Sequence, residues 1–265
     1  MSLLRRKLRV SLALMLVTSA VFSQTTYREI DVKSGAIIRG IVRFSGKIPT
    51  PEVIPVNRDT ATCGKNKQIS SLAIGKTNGV KDSFVFLEGV STGKKWPAIS
   101  TTTLNQENCE YEPHVLVVRA GEKMEIANGD SLLHNVHAYS LDSVDPNQPG
   151  PPTLFNIALP IKGLRIPRTM TKPGTVMTLC DAGHPWMNAY VLVADNPYYA
   201  VTDDNGSFVL DAVPAVTYTV KMWHEGIGKF EKATKAFIPG KPFNQEKKVT
   251  VESGRTITID FNLTS

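Results

Sequence analysis

Cysteine and histidine are scarce in this chain of 265 residues, with three of one and five of the other. There is no Ser-His-Asp order, no zinc-protease helix motif and no phosphate-cradling glycine loop, which removes the usual signatures of hydrolases and nucleotide enzymes. Neither sign of charge dominates. The formal balance is 30 basic against 24 acidic residues, or +6, but Arg5, Arg6, Lys7 and Arg9 fall in the first segment, leaving 26 − 24 = +2 for the rest. With no basic patch interleaved with aromatics, no nucleic-acid partner is expected. No stretch has the sustained period of a long amphipathic helix, and the one long apolar run is Val10 to Phe22.

That run follows a basic start and ends near small residues, the pattern of a secretory signal peptide over residues 1–23, too short and asymmetric for a membrane span. Cleavage after Ser23 is expected, giving an exported protein of the periplasm or cell surface with no transmembrane segment. Two adjacent arginines are too weak a sign to choose the export route. The remaining 242 residues (265 − 23) can fill one large or two smaller domains.

What the sequence has in quantity is short extended segments divided by Gly, Pro, Asn and Asp. Ala36 to Phe44, Ser83 to Glu88, Val115 to Arg119, Lys123 to Asn128, Asn135 to Ser140, Thr175 to Cys180 and Ala189 to Ala194 read as strands, which predicts an all-β protein of sandwich type. Residues 141–174, rich in Pro and Gly, read as a long excursion that covers part of a site. A second unit starts near Asn196, with a first domain over 24–195 and a smaller one over 196–265. In it, Asp203, Asp204, Asn205 and Gly206 predict a hairpin turn rather than a calcium loop, because the later acidic ligands are missing.

The chemistry gathers in two places: Leu-Leu-His-Asn-Val-His at 132–137 and Cys-Asp-Ala-Gly-His-Pro-Trp-Met at 180–187. Cys180 ends an apolar run where a strand meets a loop, and His184 and Met187 follow within one turn. His134 supplies a second imidazole after the alternating segment Lys123 to Asn128. A thiol, two imidazoles and a thioether are soft donors of the kind that a single copper ion collects. Zinc also suits Cys and His, but a Met donor favours copper. His114, His137 and His224 read as structural.

The His-Asn-Val-His pair and the later Cys, His, Pro, aromatic, Met order resemble the small cupredoxins, amicyanin and plastocyanin above all, over roughly residues 80–195. The resemblance implies a cupredoxin-like Greek-key sandwich and assigns metal-ligand roles to His134, Cys180, His184 and Met187, with His137 outside the set. Three residues separate Cys180 from His184, one more than in amicyanin. It further implies an electron carrier rather than a catalyst, passing electrons through His184 near the surface to an unidentified redox partner that docks at Pro185 and Trp186; Trp186 reads equally well as core. A copper oxidase or reductase is a third reading, for which the supply of histidines is poor, with five in the chain and two already used.

An oxidising compartment favours a Cys63–Cys109 disulfide, leaving Cys180 free; a disulfide through Cys180 would end the copper reading. Residues 199–263 resemble the carboxypeptidase regulatory-like domain, a transthyretin-like sandwich, through Thr202-Asp203, Gly206, alternating apolars, Val213-Pro214 and Tyr218-Thr219-Val220. Such sandwiches are grouped with carbohydrate-binding folds, so the alternative is a surface binding module for a cell-surface glycan with a degenerate or non-redox metal site. Tyr198, Tyr199 and Trp223 are its candidate exposed aromatics. Non-redox copper delivery is a further rival, since it uses the same ligands.

Overall fold

The computed structural model describes residues 27–69, 72–98, 101–143, 150–233 and 236–264. The expected signal peptide lies outside these residues. Among them no helix is long and apolar enough to cross a membrane. Alternating burial dominates: in Ala36–Phe44 every second side chain is buried, and Lys123–Asn128 and Thr217–His224 begin in the same way before their last residues turn fully inward. Period-two patterning of this kind buries one face of a strand and requires a second layer over it.

Two sandwiches result. In the first, one sheet runs Arg165–Thr169, Lys123–Asn128, Thr102–Glu107, Glu110–Glu112. The facing sheet runs Thr153–Leu159, His134–Ser140, Gly174–Leu179, Asn188–Ala194, Val115–Arg119. Between them Leu104, Met124, Ile126, Val136, Leu159 and Val191 are fully buried. The segment 141–174 differs from the excursion expected of it. It carries Thr153–Leu159 along the edge of His134–Ser140 and Arg165–Thr169 along the edge of Lys123–Asn128, one edge strand to each sheet.

The second sandwich is assembled from both ends of the chain. Phe84–Glu88 lies between Tyr199–Val201 and Thr217–His224, with Phe243–Thr250 beyond. In the other sheet Ala36–Phe44 is central, pairing with Ser207–Val213 on one side and with Thr256–Thr258 and then Phe261–Leu263 on the other. The division at 195/196 read from the sequence therefore does not follow the strand pairing, because residues 36–44 and 84–88 pair with strands beyond 196. The first sandwich is an insertion in the second. The reason is chemical: a strand buried on one face also needs partners for its backbone groups along both edges, and for Ala36–Phe44 the paired strands all lie beyond residue 196, with Asn78 and Val80 meeting only its last residues.

The turn at Asp203 forms as expected, with Asp203 Oδ1 accepting the backbone N–H groups of Asn205 (2.8 Å) and Ser207 (2.9 Å), and Gly206 at φ 74°. It is a corner rather than a hairpin, since the strands on either side of it enter different sheets. The two sandwiches meet through Phe84, Val115, Met177, Tyr190, Leu192 and Trp223, where Trp223 of the second packs on Tyr190 of the first at 5.2 Å between ring centroids.

Candidate metal centre

His134 opens its strand and pairs with Leu159, which fixes the ring inside the first sandwich. Across the neighbouring register His137 pairs with Leu179, so the end of the cysteine strand arrives beside it. Cys180 comes next, and the loop back to Asn188 is closed by Met187 N–H to His184 C=O (3.0 Å) and Cys180 N–H to Met187 C=O (3.3 Å). This short closure folds the loop onto itself and brings His184 to the Cys180 sulfur.

The Sγ of Cys180 stands 4.0 Å from Nδ1 of His134 and 4.0 Å from Nδ1 of His184. The three donor atoms lie within 4.8 Å of one another. All are enclosed: His134 is 0% exposed, Cys180 2%, His184 1% and Met187 1%. Met187 packs in the same apolar cluster as Cys180 and Trp186.

Both imidazoles are held from behind by carboxylates. Nε2 of His134 meets Asp130 Oδ2 at 2.8 Å, and that carboxylate also accepts the N–H groups of Asn108 and Cys109, each at 2.8 Å. Burial alone would raise the Asp130 carboxyl, but the Cys109 N–H, His134 and the Asn108 N–H outweigh it and hold it below the usual range, hence ionised. Nε2 of His184 meets Asp59 Oδ2 at 3.2 Å. An anion at Nε2 selects the tautomer with the proton there, which leaves each Nδ1 lone pair free and turned toward Cys180. Burial, and then His134, push His184 below the ordinary histidine range and so keep it neutral.

The thiol is raised chiefly by burial, and backbone N–H groups of Asn135, Ala182 and His184 pull it the other way. Beside the sulfur, Asn135 Oδ1 accepts Ala182 N–H (2.9 Å), and Tyr111 O–H donates to Asn135 C=O (2.6 Å).

The expected Cys63–Cys109 disulfide is present and Cys180 is free. The disulfide anchors a strap not foreseen from the sequence: the hairpin Glu52–Pro55 with Asn66–Ile69, carrying Asp59 and the helix Thr60–Cys63 at its tip. Closing a separation of 46 residues contributes about 4 kcal/mol in the chain-entropy account. The strap overturns one expectation. His184 does not reach the surface, because Asp59 covers its outer edge; Trp186 is 9% exposed and donates Nε1–H to Cys109 C=O (2.8 Å), so it is core rather than an exposed docking face. Pro185 is half-buried. A cleft of about 170 Å³ reaches Met187 and Trp186 past Lys67, Tyr111 and His114.

The remaining histidines bond elsewhere. His137 meets Asp181, Tyr139 and Thr153, His114 meets Glu225 and Asn188 C=O, and Nδ1 of His224 accepts Gly226 N–H. Of the aromatics proposed for a glycan face, Tyr198 and Trp223 are buried and Tyr199 is half-buried, which removes the platform. A groove of about 630 Å³ between the sandwiches is walled in part by Phe86, Tyr199 and Trp223, and none of the four donors lines it.

Solved structures similar to this chain include the purple cupredoxin from Nitrosopumilus maritimus, at 24% identity over 35% of this chain and 99% of that one, with a TM-score of 0.28. Amicyanin from Paracoccus versutus is similar at 24% identity, over 37% and 84%, with a TM-score of 0.30. The copper-containing nitrite reductase from Thermus scotoductus is similar at 24% identity, with a TM-score of 0.28; the match takes 40% of this chain and only 25% of that enzyme. No curated protein matches. The carboxypeptidase regulatory-like domain family matches residues 173–264, a span that begins earlier than the expected 196 and takes in the cysteine strand. The chain is thus an all-β protein of two sandwiches, carrying a carboxypeptidase regulatory-like match over residues 173–264 and similar in its solved neighbours to cupredoxins.

Proposed function

We propose that the protein binds one copper ion through His134, Cys180, His184 and Met187 and serves as an exported electron carrier. The observation that carries this reading is the convergence of one thiol and two Nδ1 lone pairs at 4.0 Å, inside a closed pocket whose imidazoles are pre-oriented by Asp130 and Asp59. Three donors in one plane, each about 2.0–2.3 Å from an ion, stand roughly 3.5–4 Å apart, so the set is spaced for a metal. Soft sulfur beside two imidazoles, with Met187 buried in the same cluster as Cys180, suits copper better than zinc.

Bound copper supplies a one-electron couple. The chain contributes rigidity and exclusion of water. His134 and Cys180 sit on or beside paired strands, His184 and Met187 on a loop closed by its own hydrogen bonds, so the donors need not move when the charge of the site changes. Burial raises the Cys180 thiol and the Asn135, Ala182 and His184 amides only partly offset it, so a bound ion must displace the proton to reach the thiolate, which is the form that binds. With His184 covered, the cleft at Met187 and Trp186 is the approach for the unidentified redox partner.

The test is visible absorption of the protein titrated with Cu(II), beside a Cys180→Ser control. An intense thiolate-to-copper band at one ion per chain that bleaches on reduction and is missing in the control is the expected outcome. A protein that keeps no copper and stays colourless sinks the reading.

A further inference from the structure

The strap places a second group of soft atoms beside His184. The sulfurs of Cys63 and Cys109 and a ring nitrogen of His184 lie within 4.8 Å of one another, all in buried residues. The Cys109 sulfur also stands within 4.8 Å of a His134 nitrogen and an Asp130 oxygen. The disulfide therefore sits against both imidazoles of the centre. Bonded to each other, the two sulfurs are poor ligands; as thiols each becomes a strong soft donor once deprotonated.

Cleaving the S–S bond leaves the backbone of both residues pinned. Cys109 N–H donates to Asp130 and its C=O accepts Trp186 Nε1–H. Cys63 N–H donates to Asp59 C=O at 2.9 Å, at the tip of a hairpin paired over four residue pairs. Ile54, Val56 and Ile69 of the same strap are buried in the first core, so the strap is held by packing as well as by the covalent link. Both thiols would stay facing His184.

We infer that the Cys63–Cys109 disulfide is a latent soft-metal site, and that in its reduced form the two thiols and His184 bind Cu(I). The inference goes beyond the copper centre proposed above, since it does not require Cys180. A small dithiol delivers two electrons and two protons to the S–S bond and closes to its own cyclic disulfide, leaving Cys63–SH and Cys109–SH. Cu(I) then displaces the thiol protons to solvent and keeps its oxidation state.

The experiment uses the full-length chain carrying Cys180→Ser, which lacks the thiolate of the first centre. It is reduced with dithiothreitol under argon, freed of reductant by gel filtration and titrated with Cu(I) presented as its bicinchoninate complex. One Cu(I) per chain withdrawn from the chelator is expected, with two sulfur neighbours by X-ray absorption. No such withdrawal is expected from the unreduced protein or from the reduced Cys63→Ser/Cys109→Ser/Cys180→Ser triple variant. Adding His184→Asn to the reduced Cys180→Ser protein weakens binding about tenfold or more. Equal withdrawal by the single and triple variants overturns the inference, as does unchanged affinity on losing His184. Loss of the near-ultraviolet circular dichroism on reduction overturns it as well, because the thiols are then no longer held by the fold. Failure of the blue band in the oxidised wild-type protein would count against the Cys180 centre alone.

Discussion

Asp130 is the residue on which the centre's order depends most. It is buried, ionised, and receives three hydrogen bonds, one from His134 and two from the turn that carries Cys109. An amide in its place can accept on one oxygen only, so Asp130→Asn breaks at least one of these contacts and releases the His134 tautomer. Copper affinity is expected to fall about 10–100-fold, read by competition with a chelator. His137 lies three residues from His134 yet bonds to Asp181, Tyr139 and Thr153. For His137→Phe the copper affinity should match the wild type in the same assay; a large loss would place His137 in the centre. The meeting of His134, Cys180 and His184 was legible in the sequence because His184 follows Cys180 within one turn and His134 opens an adjacent strand. Asp59 was not, since the contact with His184 joins residues 125 apart and an acidic side chain in a loop carries no pattern of its own.

The strap and the central strand of the second sandwich depend on glycines at close approaches. Gly183 has φ 90°, and a Cβ there would lie 2.2 Å from an Arg58 guanidinium nitrogen on the strap. Gly183→Ala is expected to destabilise the protein by about 1 kcal/mol or more and to loosen the cover over His184, measured by denaturant unfolding together with the rate of copper loss to a chelator. Gly40 faces a harder obstacle. The obstruction is main chain: a Cβ would fall 1.7 Å from the carbonyl oxygen of Ile259, where the chain passes between the two segments that pair with Ala36–Phe44. Gly40→Val should cost roughly 1–3 kcal/mol or more of unfolding free energy, since backbone cannot give way as a side chain can. The strands themselves were legible from period-two alternation, and most of their boundaries fall within a residue or two of those read from the sequence. Their partners were not, because alternation shows which face is buried and says nothing of which edge meets which.

At the scale of the molecule, the junction between the sandwiches holds two histidines whose titrations run in opposite directions. Burial, then the neighbouring His114, depress His224 to about 3, so it stays neutral in the fold; the unfolded chain binds its proton first, and stability is lost as pH falls from about 6.5 toward 3. Burial lowers His114, but Glu225 with Asp82 outweighs it and the net shift is upward. Its contribution is complete below the ordinary histidine range and is lost as pH rises through the raised value. Unfolding free energy should therefore pass through a maximum near neutrality, with a slope of up to about 1.4 kcal/mol per pH unit from His224 on the acid side. Glu225→Gln should flatten the alkaline side and leave the acid side of the profile standing; urea unfolding measured across pH 4 to 9 decides it. The place of this junction in the chain was hidden from the sequence, where a cut near Asn196 looks natural, since the composition there gives no sign that residues 36–44 and 84–88 belong with strands on its far side. That arrangement also orders the molecule in time. As the chain leaves the ribosome or an export channel from its first residue, Ala36–Phe44 has no strand to join until residues 207–263 have appeared, while the inserted sandwich, with His134, Cys180 and His184, is complete by residue 194. The first sandwich can thus close while the second is still half made.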